Sequence, residues 1–138
     1  MKTKRKGFTL LELLVVIAII GTMIAFLVPN LAGSRDKARE AAVKSVMHTV
    51  QLALEAYTME NGTYPLGNNI TIKALYDNYL CAGAYLGELP KNPFTDKPYV
   101  DSDTAGKIIY LYDNTKDKYT LVGHKRDGLS EVLRMSNM

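Results

Sequence analysis

The chain has one cysteine, Cys81, no tryptophan and two histidines in 138 residues. A single cysteine excludes an intramolecular disulfide and a cysteine-built zinc cluster. Free cysteine behaves as a small apolar residue, so Cys81 is expected to be buried. His48 and His124 stand far apart, and nothing in the sequence groups further ligands around either. Also missing are a glycine-rich phosphate loop, a nucleophile elbow and a paired-histidine zinc motif. Nothing in the pattern points to an enzyme.

Positive charge is scarce in the body of the chain. The formal charge is +3, but Lys2, Lys4, Arg5 and Lys6 all precede Gly7. The remainder carries 13 basic against 14 acidic residues. A nucleic-acid-binding fold needs Lys and Arg gathered on itself, so no nucleic-acid partner is implied.

What is present is a long apolar run. Residues 8–28 contain one charged residue, Glu12. As a helix this run reaches about 31 Å, the thickness of a bilayer core. The basic flank belongs on the cytoplasmic side, which sends the rest of the chain outward. The run is longer than a secretory signal core, and no small-residue cleavage site follows Val28. A plain anchor does not explain Glu12, since a carboxylate within a membrane span asks for a partner. Gly21 and Pro29 interrupt the run, and Pro29 withholds the hydrogen bond to the Ala25 carbonyl. The helical pattern resumes directly after it, which predicts a kinked helix running on rather than a helix end.

Residues 31–59 are rich in Ala, Arg, Lys, Glu and Leu, all good helix formers. Val43, Val46, Val50, Leu54 and Tyr57 recur at steps of three and four and form one apolar stripe. Lys37, Glu40, Lys44 and Glu55 are expected on the wetted side. Gly33 and Ser34 are a candidate bend. Asn61 and Gly62 supply a left-handed stop, and Pro65 blocks continuation.

Beyond Pro65, residues 71–80 read as a short capped helix. Residues 89–100, "LPKNPFTDKPYV", are too proline-punctuated for helix. "KIIYLYD" (107–113) and "KYTLVGH" (118–124) are β-branched and aromatic runs around an "NTKD" turn, which predicts a hairpin. A third strand is expected near Tyr99 and Val100. The last residues, "KRDGLSEVLRMSNM", are expected to form a short helix or a loose tail. Nine tyrosines from Tyr57 to Tyr119 suit the packing of a small domain. Asn61-Gly-Thr63 and Asn69-Ile-Thr71 fit the glycosylation sequon.

The stretch "KGFTLLELLVVIAIIG" resembles the leader and N-terminal helix of type IV pilins and type II secretion pseudopilins. The likeness covers residue 6 to about Pro29. The tyrosine–proline pair at 64–65 and the segment from Leu89 to Val100 resemble the major pseudopilins more loosely, with Asn92 in place of the usual Asp. The resemblance implies cleavage between Gly7 and Phe8 by a prepilin peptidase, with N-methylation of Phe8. It places Glu12, Gly21 and Pro29 in assembly, and implies that residues 21–29 lose helicity in the filament. It further implies calcium binding in the C-terminal region, for which "DSDTAG" offers Asp101 and Asp103; that segment lacks the third acidic ligand and the closing Glu of a calcium loop.

The expected fold is α+β: a protruding N-terminal helix packed by its C-terminal half on a small antiparallel sheet. Residues 1–7 form a leader, 8–29 a transmembrane and filament-core helix, and 30–138 a globular pilin domain that includes amphipathic helix 30–60. The expected function is a prepilin that enters the inner membrane with its N-terminus cytoplasmic. It then polymerises with its own kind into an extracellular or envelope-spanning filament, aided by an inner-membrane assembly platform. The alternative is the major pseudopilin of a type II secretion system; a membrane-tethered binding or enzymatic domain stands behind both. Glu12 is expected to meet the Phe8 amine of a neighbouring subunit and fix axial register, as one buried polar residue does in a coiled coil.

Overall fold

The computed structural model describes residues 7–137, and only the backbone of Pro29, Asn30 and Ala32. The basic leader residues 1–6 lie outside the described residues. One helix, α1 (Leu10–Asn61), is followed by β1 (Ile70–Thr71), α2 (Ile72–Leu75) and a π-helical turn (Tyr76–Leu80). Then come β2 (Lys91–Asn92), β3 (Lys97–Pro98), β4 (Ile108–Asp113), β5 (Lys118–His124) and β6 (Glu131–Ser136). The helix-and-small-antiparallel-sheet arrangement is the expected α+β class. The chain divides into two compact units, one up to Arg35 and one from Asp36.

In the first unit α1 is apolar from Leu13 to Val28 but for Thr22. Every described side chain from Phe8 to Val28 is exposed. The helix runs through Pro29, so that proline does not end it. A carbon built on Gly21 meets nothing within 4 Å, so no packing among the described residues calls for a glycine there.

The second unit has a closed core. Val43, Met47, Val50 and Leu54 of α1 are fully buried, three of them from the predicted stripe. They pack with Ile108 and Tyr110 of β4 and Tyr119 and Leu121 of β5. Alternate residues of each strand reach the helix, as the pleat requires. Helix and sheet lie close at Gly123, where an added carbon would sit 2.5 Å from Met47 Sδ and 3.2 Å from Val43 Cγ1. α1 ends as expected: Gly62 takes φ +75°, its N–H donates to the Thr58 carbonyl at 2.8 Å, and Asn61 Nδ2 donates to the Tyr57 carbonyl at 2.9 Å.

The sheet order is β1-β4-β5-β6, all antiparallel. The predicted β4–β5 hairpin is present, pairing Ile109 with Val122 and Leu111 with Thr120 across the 114–117 turn. The short helix is also present, with Thr71 Oγ1 accepting from Ala74 N–H at its start.

Four expectations need correction. Tyr99 and Val100 are not in the main sheet; its outer strands are β1 and β6. The C-terminal residues form β6, paired along β5 from Glu131 to Ser136, neither helix nor loose tail. Leu133 and Met135 are packed against the core, and that burial decides the strand. Cys81 is exposed: the π turn directs Leu80 into the core and turns its successor outward. Glu55 is not on a freely wetted face; it accepts hydrogen bonds from Tyr64 Oη at 3.1 Å and Tyr119 Oη at 3.2 Å.

Candidate assembly site

The residues singled out at the N-terminus lie within a few positions of the start of α1. Gly7, Phe8 and Thr9 precede the helix and are exposed, Phe8 by 76%. The Gly7–Phe8 peptide bond therefore sits in open, non-helical chain. Glu12 is in the first turn. Its Oε2 accepts from Thr9 N–H and Thr9 Oγ1, both at 2.9 Å, while Glu12 N–H donates to Thr9 Oγ1 at 3.2 Å.

This is a capping box: the first helical residues lack partners for their N–H groups, and Thr9 and Glu12 supply them reciprocally. The negative carboxylate also lies at the positive end of the helix dipole. Sequence reasoning misses Thr9, although Thr-x-x-Glu ahead of an apolar run is the signal for it. Among the described residues, then, the carboxylate is held by Thr9.

The segment Leu10–Val28 is long and apolar enough to cross a membrane, and none of it is buried within the chain. Apart from Glu12 and Thr22 it offers no polar side chain. Thr22 Oγ1 bonds back to the Ile19 carbonyl at 2.8 Å. Such a surface needs lipid or other apolar helices around it, because each fully buried large side chain gains about 1.5–3 kcal/mol over one left in water.

The other candidates lie in the second unit. Asp101 accepts from Thr71 Oγ1, and Asp103 Oδ2 accepts from Val100 N–H at 2.9 Å. Among the described residues no three His, Cys, Asp or Glu side chains group as metal ligands would. His48 is exposed; the His124 ring lies 3.3 Å from the Lys107 carbonyl oxygen. Tyr99, Tyr110 and Tyr119 are fully buried, and burial pushes all three phenols well above the ordinary range. Tyr99 Oη donates to the Gly106 carbonyl and Tyr110 Oη to the Pro65 carbonyl, each at 2.8 Å. Of the two sequons, Asn61 is engaged with Tyr57 and with Tyr85 Oη, while Asn69 is exposed at φ +58°.

Residues 2–28 match the family model described as prokaryotic N-terminal methylation motif. Residues 30–128 match that of type II secretion system (T2SS), protein G. The type II secretion system core protein G of Vibrio cholerae is 35% identical over 114 residues, covering 76% of this chain and 77% of its own. That of Dickeya chrysanthemi is 38% identical over 122 residues, covering 81% and 79%. The type IV wide pilus major component PilA4 of Thermus thermophilus is 42% identical over 59 residues, covering 43% and 45%. No solved structure matches. With one family model spanning the apolar helix and the other nearly all of the remainder, the chain belongs to the type II secretion system protein G family, behind a prokaryotic N-terminal methylation motif.

Proposed function

We propose that this chain is the precursor of a major pseudopilin, cut between Gly7 and Phe8 and polymerised through the apolar part of α1. Its role is structural, not catalytic. The observation that carries this reading is the apolar segment Leu10–Val28, which no described residue of the chain buries. Before assembly the bilayer covers it, with the basic leader held in the cytoplasm. In the filament, copies of the same segment cover it. A prepilin peptidase makes the cut, Phe8 is methylated, and an inner-membrane platform extracts the subunit from the bilayer.

Cleavage removes the four basic residues of the leader and leaves an α-amine on Phe8. Amine and carboxylate are each costly alone in an apolar core and tolerable together. The Phe8 amine of a neighbouring subunit then pairs with Glu12. The Thr9 capping box satisfies that carboxylate until the amine arrives, and pairing fixes the axial register. Gly21 and Pro29 bracket the stretch where α1 gives up helical hydrogen bonds as the filament forms.

The pseudopilin reading stands ahead of a type IV pilus subunit because the protein G likeness spans the globular unit, whereas the pilus relative covers less than half of the chain. The testing experiment is intact mass and N-terminal sequencing of filaments sheared from cells. A chain starting at methylated Phe8 supports the reading; filaments whose subunits retain residues 1–7 overturn it. Deletion of the gene sorts the two readings, since loss of exported folded cargo marks a secretion pseudopilus and loss of long surface fibres marks a pilus.

A further inference from the structure

The family likeness implies a calcium ion in the C-terminal region, and the residues present do not fit one. One oxygen of each carboxylate in the "DSDTAG" segment is engaged within the chain, Asp101 Oδ1 by Thr71 Oγ1 and Asp103 Oδ2 by Val100 N–H, and no third acidic side chain joins them among the described residues. The backbone oxygens nearby are taken as well. Ala105 O accepts from Asn92 Nδ2 at 2.9 Å and Gly106 O from Tyr99 Oη at 2.8 Å. Val100 O accepts from Asp103 N–H, and Lys125 O from both Gly106 N–H and Gly128 N–H, each at 3.1 Å. Calcium needs six to eight oxygens converging on one point. Here those carbonyls and one oxygen of each carboxylate already face donors of the chain itself, and no buried side-chain N or O among the described residues lacks a partner.

At the centre of this bracing is Asn92, a fully buried polar residue. Its amide donates to Ala105 O, its Oδ1 accepts from Phe94 N–H at 2.9 Å, and its carbonyl accepts from the N–H groups of Thr95 and Asp96. It thereby ties the turn after β2 to the end of the 99–106 loop. Gly106, at φ +68°, fits against it: an added carbon would lie 2.9 Å from Asn92 Oδ1 and 2.6 Å from Phe94. The Arg39 guanidinium sits 5.8 Å from the Phe94 ring centroid, which joins the bracing to α1. An aspartate at position 92 has no amide to donate to Ala105 O, so the Asn stands where its donor is needed.

We propose that Asn92, helped by Tyr99, locks the 92–106 loop in the place of a calcium ion, so that the fold of this chain is independent of calcium. The test is thermal melting and amide hydrogen exchange of the full chain in detergent micelles, with excess calcium chloride or excess EDTA. The expected result is the same melting temperature and the same exchange in residues 93–106 under both conditions. A melting temperature that rises with calcium or falls with EDTA overturns the proposal. Asn92→Ala is expected to lower the melting temperature and speed exchange in that loop by about tenfold or more. Exchange left unchanged there also overturns the proposal. If Asn92→Ala does not fold, Tyr99→Phe removes one brace with the ring retained, and the calcium comparison on the unaltered chain decides independently. None of these outcomes depends on cleavage or filament formation.

Discussion

The two units of this chain solve opposite problems with the same helix. From Asp36 onward α1 has one apolar face, and that face is covered by β4, β5 and β6 of the same chain. From Leu13 to Val28 it is apolar but for Thr22, and no described residue of the chain buries it. Val43, Met47, Val50 and Leu54 are 0% exposed, whereas Leu10 is 82% exposed and Phe26 77%. The first set stabilises the monomer. The second stabilises only what surrounds it. A helix apolar on every side is a buried helix, and here the burial has to come from outside.

The difference lends itself to direct attack, beginning with the largest expected effect. Glu12→Val is expected to reduce filament yield at least about tenfold, the cost of leaving the neighbour's amine unpaired in an apolar core. The melting temperature of the globular unit should not move, because among the described residues Glu12 bonds to Thr9 and to nothing in that unit. Normal filaments from Glu12→Val would remove the pairing and with it the assembly role of the first turn.

Leu54→Ala and Leu14→Ala sharpen the comparison, being the same truncation in the two units. Leu54→Ala opens a cavity in a closed core and should cost about 2–5 kcal/mol, read in denaturant unfolding of the second unit. Truncating Leu14, 52% exposed, should leave that unfolding unchanged and weaken only filaments. Equal losses of stability from both would mean that the first unit is covered within the chain after all.

Alkaline pH tests the buried tyrosines of the second unit. The phenols of Tyr99, Tyr110 and Tyr119 titrate higher in the folded chain than in the unfolded one. Below the unfolded value both states hold the proton and stability is intact. As pH rises past about 10 the unfolded chain ionises first, so stability falls. The melting temperature should therefore drop steeply above that pH, with tyrosinate absorbance rising together with unfolding. Tyr110→Phe should delay the onset, while losing about 0.5–1.5 kcal/mol at neutral pH with the bond to Pro65 O. Ionisation of Tyr99, Tyr110 and Tyr119 well before unfolding would count against this account.

The smallest effect belongs to Gly62→Ala. At φ +75° a side chain costs about 1–2 kcal/mol, with no steric clash, since an added carbon meets nothing within 4 Å. The melting temperature should fall slightly and filament yield should hold.

The N-terminal end of the molecule is legible in the amino-acid sequence. A run of 21 residues with one charge states its length and its solvent without reference to distant residues. The core stripe on α1 and the β4–β5 hairpin are legible too, because periodicity and turn chemistry are local. Even the Thr9–Glu12 capping box is in the letters, four residues long. It escapes notice because a lone carboxylate in an apolar run draws the search for a partner toward another chain.

What needs the tertiary structure is long-range. Glu131–Ser136 contains Leu, Arg and Met, all good helix formers, and becomes a strand because β5 offers an open edge and the core receives Leu133 and Met135. The Asp127-Gly128 pair is the one local hint, with Gly128 at φ +68° in the connection. Cys81 faces outward because the turn before it gives its inward direction to Leu80. Glu55 meets Tyr64 and Tyr119, nine and 64 residues away, and Asn92 meets Ala105 across a loop. By itself the sequence determined where the helix begins, how long its apolar part is and that this part must find cover elsewhere, because those are properties of neighbouring residues. Only the tertiary structure decided which polar groups pair, since a hydrogen bond between distant segments exists only once the chain between them has folded.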